Sequence, residues 1–159
     1  MDRLWNPWRY QYITATKKET GCVFCRLAAE NNDEENFILY RGKYAYIVLN
    51  IYPYNSGHLL IIPFVHSKLL ADLEKNASDE IMDLTKMCQI AIEKEYHPQG
   101  FNLGMNLGEA AGAGVAEHLH MHILPRWFGD ANFTTVIGET KNLPEMLANT
   151  YQRLKPYFS

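Results

Sequence analysis

The chain has 159 residues, a length that suits one domain with a single hydrophobic core. Hydrophobic residues make up 47%, charged ones 21%, and the formal net charge is -3, which argues against a binder of long nucleic acid but leaves room for a small polyphosphate. No apolar run is long enough for a membrane span, the stretch after Met1 has no secretory h-region, and three cysteines make no disulfide framework, so a cytoplasmic, reducing compartment is expected.

Residues 1–20 read as an arm rich in aromatic residues (Trp5, Trp8, Tyr10, Tyr12), expected to pack on the domain or on a second subunit. Cys22-Val23-Phe24-Cys25 is half a metal site, a redox pair or two ordinary thiols, and no βαβ pattern surrounds it to favour redox chemistry. A short helix is predicted over 26–32, a strand over 37–40, a turn at Arg41-Gly42-Lys43 and a second strand over 44–51. After the break at Pro53, Asn55 and Gly57, the stretch 58–62 is almost wholly apolar and predicts a central strand buried on both faces.

His66 opens a weakly helical segment. Ser78 is the expected N-cap of a long helix that places Ile81, Leu84, Cys88 and Ile92 on the core and ends near His97. Cys88 reads as a buried structural thiol, and His97 as a cap that complements the helix dipole. A strand is predicted over 101–107, followed by the Gly-rich loop 108–114, which by itself reads as a phosphate nest or as a flexible hairpin loop.

His118-Leu119-His120-Met121-His122 then alternates imidazole and apolar residues, so a strand here puts all three rings on one face. Three imidazoles so close depress one another's pKa, which leaves at least one neutral and able to bind a metal or attack an electrophile. A turn-rich stretch over 126–133 leads to a final helix over 143–155, with Pro144 in its first turn and Leu147, Tyr151 and Leu154 as its apolar stripe. Antiparallel hairpins with two main helices predict an α+β fold.

Asn50, Gly57-His58, Pro63 to His66, Asn106-x-Gly108 and His-x-His-x-His occur in an order that resembles the histidine-triad (HIT) superfamily. The flanks, Leu4-Trp5-x-Pro7-Trp8-Arg9-x-x-Tyr12 and Pro125-Arg126-Trp127-x-Gly129-Asp130-Ala131-Asn132-Phe133, look like the branch that contains bacterial diadenosine tetraphosphate phosphorylases. The resemblance implies a five-stranded antiparallel sheet with two helices and a homodimer joined into a ten-stranded sheet. One HIT domain would span 1–159, with an N-terminal arm at 1–20 and a C-terminal extension at 134–159.

It also implies nucleotidyl transfer or hydrolysis of a dinucleoside polyphosphate through a covalent nucleotidyl-His120. His58 and His122 would contact phosphate, and Asn50 the ribose. Asn106, Gly108 and the backbone of Gly112, Ala113, Gly114 and Val115 fall at the phosphate-binding stretch. Val48 and Leu60 offer an apolar wall to a flat ring. By the same resemblance Cys22, Cys25, His66 and His118 would bind a structural Zn2+, a ligand set suited to a closed tetrahedral site.

The chain departs from the pattern at Gly114 and Val115, where many relatives carry Gln, Ser or Thr. The leaving-group acid is therefore unassigned, and a nucleoside phosphoramidase is disfavoured. The motifs are also compatible with a nucleotidyl-sugar transferase and with a non-catalytic nucleotide-binding dimer.

Overall fold

Leu59 to Pro63 form the strand around which the rest is laid, buried at every position. In the computed structural model, which describes residues 21–137 and 143–158, it is β3 of five strands: β1 Ile38–Arg41, β2 Ala45–Leu49, β4 Gly100–Gly104 and β5 Met121–Arg126 are the others. All pairings are antiparallel, and the spatial order is β1-β2-β3-β5-β4. The arm at 1–20 lies outside the described residues.

The sheet's period of two sorts its side chains. Ala45, Ile47, Leu49, Leu59, Ile61 and Ile123 point to one face, where they meet Ile81, Leu84, Cys88 and Ile92 of α2 (Lys75–Tyr96) and Tyr151 and Leu154 of α4 (Leu147–Leu154). Tyr46, Val48, Leu60 and Ile62 point to the other face, where Phe24 of α1 (Val23–Ala29) joins them. The five-stranded antiparallel sheet and the two core-facing helices are as expected; α3 (Phe133–Val136) is a further short helix.

Several boundaries move. α1 begins at Val23, not Arg26, because Phe24 anchors it in the sheet and Tyr46 donates a hydrogen bond to its carbonyl at 2.8 Å. The Arg41 guanidinium then satisfies the carbonyls of Ala28 at 2.7 Å and Glu30 at 2.7 Å, which ends the helix.

α2 starts at Lys75 with Glu74 as its N-cap residue, so Ser78 lies inside the first turn and donates to the Lys75 carbonyl at 2.8 Å. It ends as expected, with His97 in the left-handed conformation (φ 46). β4 stops at Gly104 because its partner runs out: Gly104 faces His122 one residue from the start of β5. α4 starts at Leu147, beyond Pro144, whose neighbour Glu145 binds the Tyr96 hydroxyl at 2.6 Å and Arg153 at 2.8 Å.

The histidine run also differs from expectation. Of its three rings only His122 lies within β5; His118, at a bend, and His120 occupy a lead-in held by the Leu119 N–H on the Ser67 carbonyl at 2.7 Å. The alternation survives. Leu119 is buried and Met121 and Ile123 join the helix-side core, while the imidazoles sit with Phe24 on the opposite face.

Candidate active site

A cleft of ≈ 760 Å³ opens on the sheet face that carries the histidines. Phe37, Val48 and Leu60 give it an apolar wall, Gly112, Gly114 and Val115 a loop wall, and His120 and His122 polar atoms. Asn50 also lines it, with its Oδ1 accepting the Tyr52 N–H at 2.9 Å. His58, Asn106, Gly108 and Ala113 do not reach the lining.

His120 is 4% exposed, and its Nδ1 lies 2.9 Å from the His118 carbonyl oxygen. A carbonyl only accepts, so Nδ1 carries the proton and Nε2 carries the lone pair. Burial pushes the ring's pKa down, opposed by that backbone bond, and keeps the ring neutral and nucleophilic.

The third ring is set by a relay. The Tyr54 N–H donates to His58 Nδ1 at 3.1 Å, which leaves the His58 proton on Nε2. That proton faces His122 Nδ1 at 3.0 Å, so His122 carries its own proton on Nε2. His122 Nε2 is buried without a hydrogen-bond partner, a donor in want of an acceptor. Burial, then the neighbouring His120, lowers the His122 pKa to about 4. His58, 1% exposed, thus lies behind His122, and its Nδ1 also faces the Asn50 Nδ2 at 3.3 Å. Tyr54, tilted against His58 at 4.7 Å and stacked on His122 at 6.0 Å between centroids, belongs to this group too. Nothing in the sequence marked Tyr54, because its part is played by a backbone N–H and a ring face.

His118 faces the other way. Its Nε2 donates to the Pro63 carbonyl at 2.9 Å, so Nδ1 holds the lone pair, 3.2 Å from Cys22 Sγ and 3.6 Å from Cys25 Sγ. His66 Nδ1 is 3.3 Å from Cys25 Sγ, and one ligand atom from each of the four residues lies within 4.8 Å of the others. Tetrahedral zinc with ordinary bond lengths spaces a sulfur and a nitrogen ligand about 3.5 Å apart. Cys22, Cys25, His66 and His118 therefore fit a metal ion. Burial and then the Cys22 thiol push the Cys25 pKa up, so a metal would have to displace that proton to be ligated there. Phe24, between the two cysteines in sequence, makes edge contacts with both His118 and His120, at 5.6 and 5.0 Å between ring centroids.

The HIT domain family model matches residues 31–129. The chain belongs to the HIT domain family. Among HIT relatives, AP-4-A phosphorylase of Mycobacterium tuberculosis is 40% identical over 161 residues, covering 97% of this chain and 83% of that protein. Adenosine 5'-monophosphoramidase of Saccharomyces cerevisiae is 30% identical, covering 72% of each chain. The crystal structure of a Zn-bound histidine triad family protein from Mycobacterium smegmatis superposes with a TM-score of 0.69 at 25% identity, covering 86% of this chain and 92% of that one. Among the described residues of this HIT domain, no helix is long and apolar enough to cross a membrane.

Proposed function

We propose that this HIT domain cleaves dinucleoside polyphosphates through a nucleotidyl-His120 intermediate. The observation that carries the reading is the His120 tautomer: Nδ1–H is tied to the His118 carbonyl, which leaves the Nε2 lone pair for attack in the cleft. The phosphorylase relative at 40% identity supplies the substrate class.

His120 Nε2 attacks the α-phosphorus, and the bond to the bridging oxygen breaks, its electron pair leaving with the distal nucleotide. The His118 carbonyl steadies the ring cation that results. His122 Nε2–H is the donor for the oxygen on which charge develops, which answers in part for the missing side-chain donor at Val115. Asn50 holds the ribose, Val48 and Leu60 the base, and the backbone N–H groups of Gly114 and Val115 the phosphates. Gly112 and Ala113 N–H groups are spent on the Glu109 and Gly108 carbonyls, and Gly108 shapes the loop. Gly108 and Gly112 have φ of +85 and +87, a conformation that favours glycine.

Cys22, Cys25, His66 and His118 hold a structural Zn2+ that ties α1 to the catalytic segment. The protein works as a cytoplasmic homodimer of single-domain chains. The outer edge of β4, with Leu103 48% exposed, is the edge through which two sheets join into one of ten strands.

Quenching the protein during turnover of diadenosine tetraphosphate and mapping the adduct by mass spectrometry tests the mechanism. A nucleotide on His120 is expected; turnover with no adduct on any histidine sinks it. The yeast relative favours a second reading, a nucleoside phosphoramidase, which a phosphoramidate substrate run side by side decides.

A further inference from the structure

A second cavity of ≈ 510 Å³ adjoins the catalytic cleft, and the two share Val23, Arg26, Gly114 and Val115. Arg26 is the one lysine or arginine lining either of them among the described residues. Its side chain is 48% exposed, and its ion pair with Glu30 on the same helix spans 3.9 Å. A guanidinium fork matches two oxygens of a phosphate.

The adduct on His120 can be released only by a nucleophile that arrives opposite the P–N bond, from the side on which the first leaving group departed. Water brings no charge to that approach. Inorganic phosphate brings at least one negative charge toward a phosphorus whose oxygens are already anionic, so it needs a cation on its path.

We propose that Arg26 selects inorganic phosphate over water as the group that resolves nucleotidyl-His120. The inference rests on the nucleotidyl-histidine reading above. Arg26 receives the phosphate from solvent at the junction of the two cavities and holds it there. A phosphate oxygen bonds to the α-phosphorus, the P–N bond breaks with its electron pair returning to Nε2, and a nucleoside diphosphate leaves. Water attacking the same adduct gives a nucleoside monophosphate and releases a proton to solvent.

Both products come from one intermediate, so their ratio is independent of how fast that intermediate forms. A general loss of structure or of first-step rate does not move it. The test uses the full chain with diadenosine tetraphosphate, with and without added inorganic phosphate, and separates ADP from AMP. With phosphate present the wild type is expected to make mainly ADP. Arg26→Gln lowers the ADP-to-AMP ratio about tenfold or more and raises the half-saturating phosphate concentration, while Arg26→Lys restores part of the ratio. An unchanged ratio in Arg26→Gln overturns the inference. So does a wild type that makes only AMP despite added phosphate, although cleavage itself then stands. A wild type that makes neither product overturns the parent reading and this one together.

Discussion

The Nδ1 of His120 donates to the carbonyl oxygen of His118 at 2.9 Å, and the ring of that same His118 faces two thiols. One residue therefore serves two centres, its backbone orienting the proposed nucleophile and its side chain the candidate metal site. Replacing His120 by Ala is expected to lower kcat by roughly 10³-fold or more, since the residual rate comes from binding and polarisation alone. Nucleotide binding, followed by calorimetry, should survive. Wild-type turnover in this variant would remove His120 from the mechanism.

His58 never reaches the cleft, yet it fixes where the His122 proton sits. His58→Phe keeps the ring's volume but offers neither acceptor to Tyr54 nor donor to His122. Loss of a correctly placed proton donor costs roughly 10²-fold in kcat, with KM nearly unchanged. A matching rise in KM would mean that His58 also serves binding, directly or through Asn50, whose Nδ2 lies 3.3 Å from His58 Nδ1.

The pKa of His122 is held down to about 4 from 6.5, mainly by burial. Between those values an unfolded chain binds a proton that the folded ring refuses, so stability falls as pH drops through that window. Burial lowers His120 in the same direction. The acid limb of kcat/KM should accordingly lie below pH 6.5, and melting temperature should decline from pH 6.5 toward pH 4. His122→Gln should flatten the decline; a wild-type melting temperature that is level across the window counts against a neutral buried ring.

Chelation tests the four-ligand cluster. A metal ion held at about 1,000 times its Kd adds about 4 kcal/mol, which for a chain of this size moves Tm by roughly 10 °C. Dialysis against a strong chelator should lower Tm by that order, zinc should restore it, and Cys22→Ser should be insensitive to both. Elemental analysis should give one zinc per chain. Activity should fall with Tm, because His118 also orients His120.

Away from the site, Glu80 of α2 accepts hydrogen bonds from the Lys43 and Ala45 N–H groups at 2.9 and 2.8 Å, and Gly42 leaves room for it: a Cβ there would lie 2.9 Å from its carboxylate. Glu80→Ala should destabilise the chain by about 2 kcal/mol in urea unfolding, with kcat unaffected in the folded fraction.

The alternation in 118–122 and the apolar run 58–62 were legible because burial on one or both faces of a strand imposes its period directly on the chain. Ser78 misled because a serine followed by acids looks like a cap wherever it falls, while here the helix gains an extra turn toward Lys75. Gly104 could not be picked as the end of β4 from a pattern that alternates through Leu107, since a strand ends where its neighbour stops pairing. Tyr54 and Arg26 left no trace, as Tyr54 meets His122, and Arg26 borders the cleft that holds His120 and His122, only through the packing of distant stretches of chain.

From residue order alone came the fold class, the three aligned imidazoles and a cysteine pair able to supply half a metal site, all consequences of local period and chemistry; His66 and His118 joined that pair through the family resemblance. The tertiary structure decided which nitrogen of each ring carries the proton, that His58 stands behind His122, and that Arg26 is the one lysine or arginine lining the cleft among the described residues. Those depend on which carbonyl, N–H or side chain another element brings within about 3 Å, and that proximity is set by packing across the sheet.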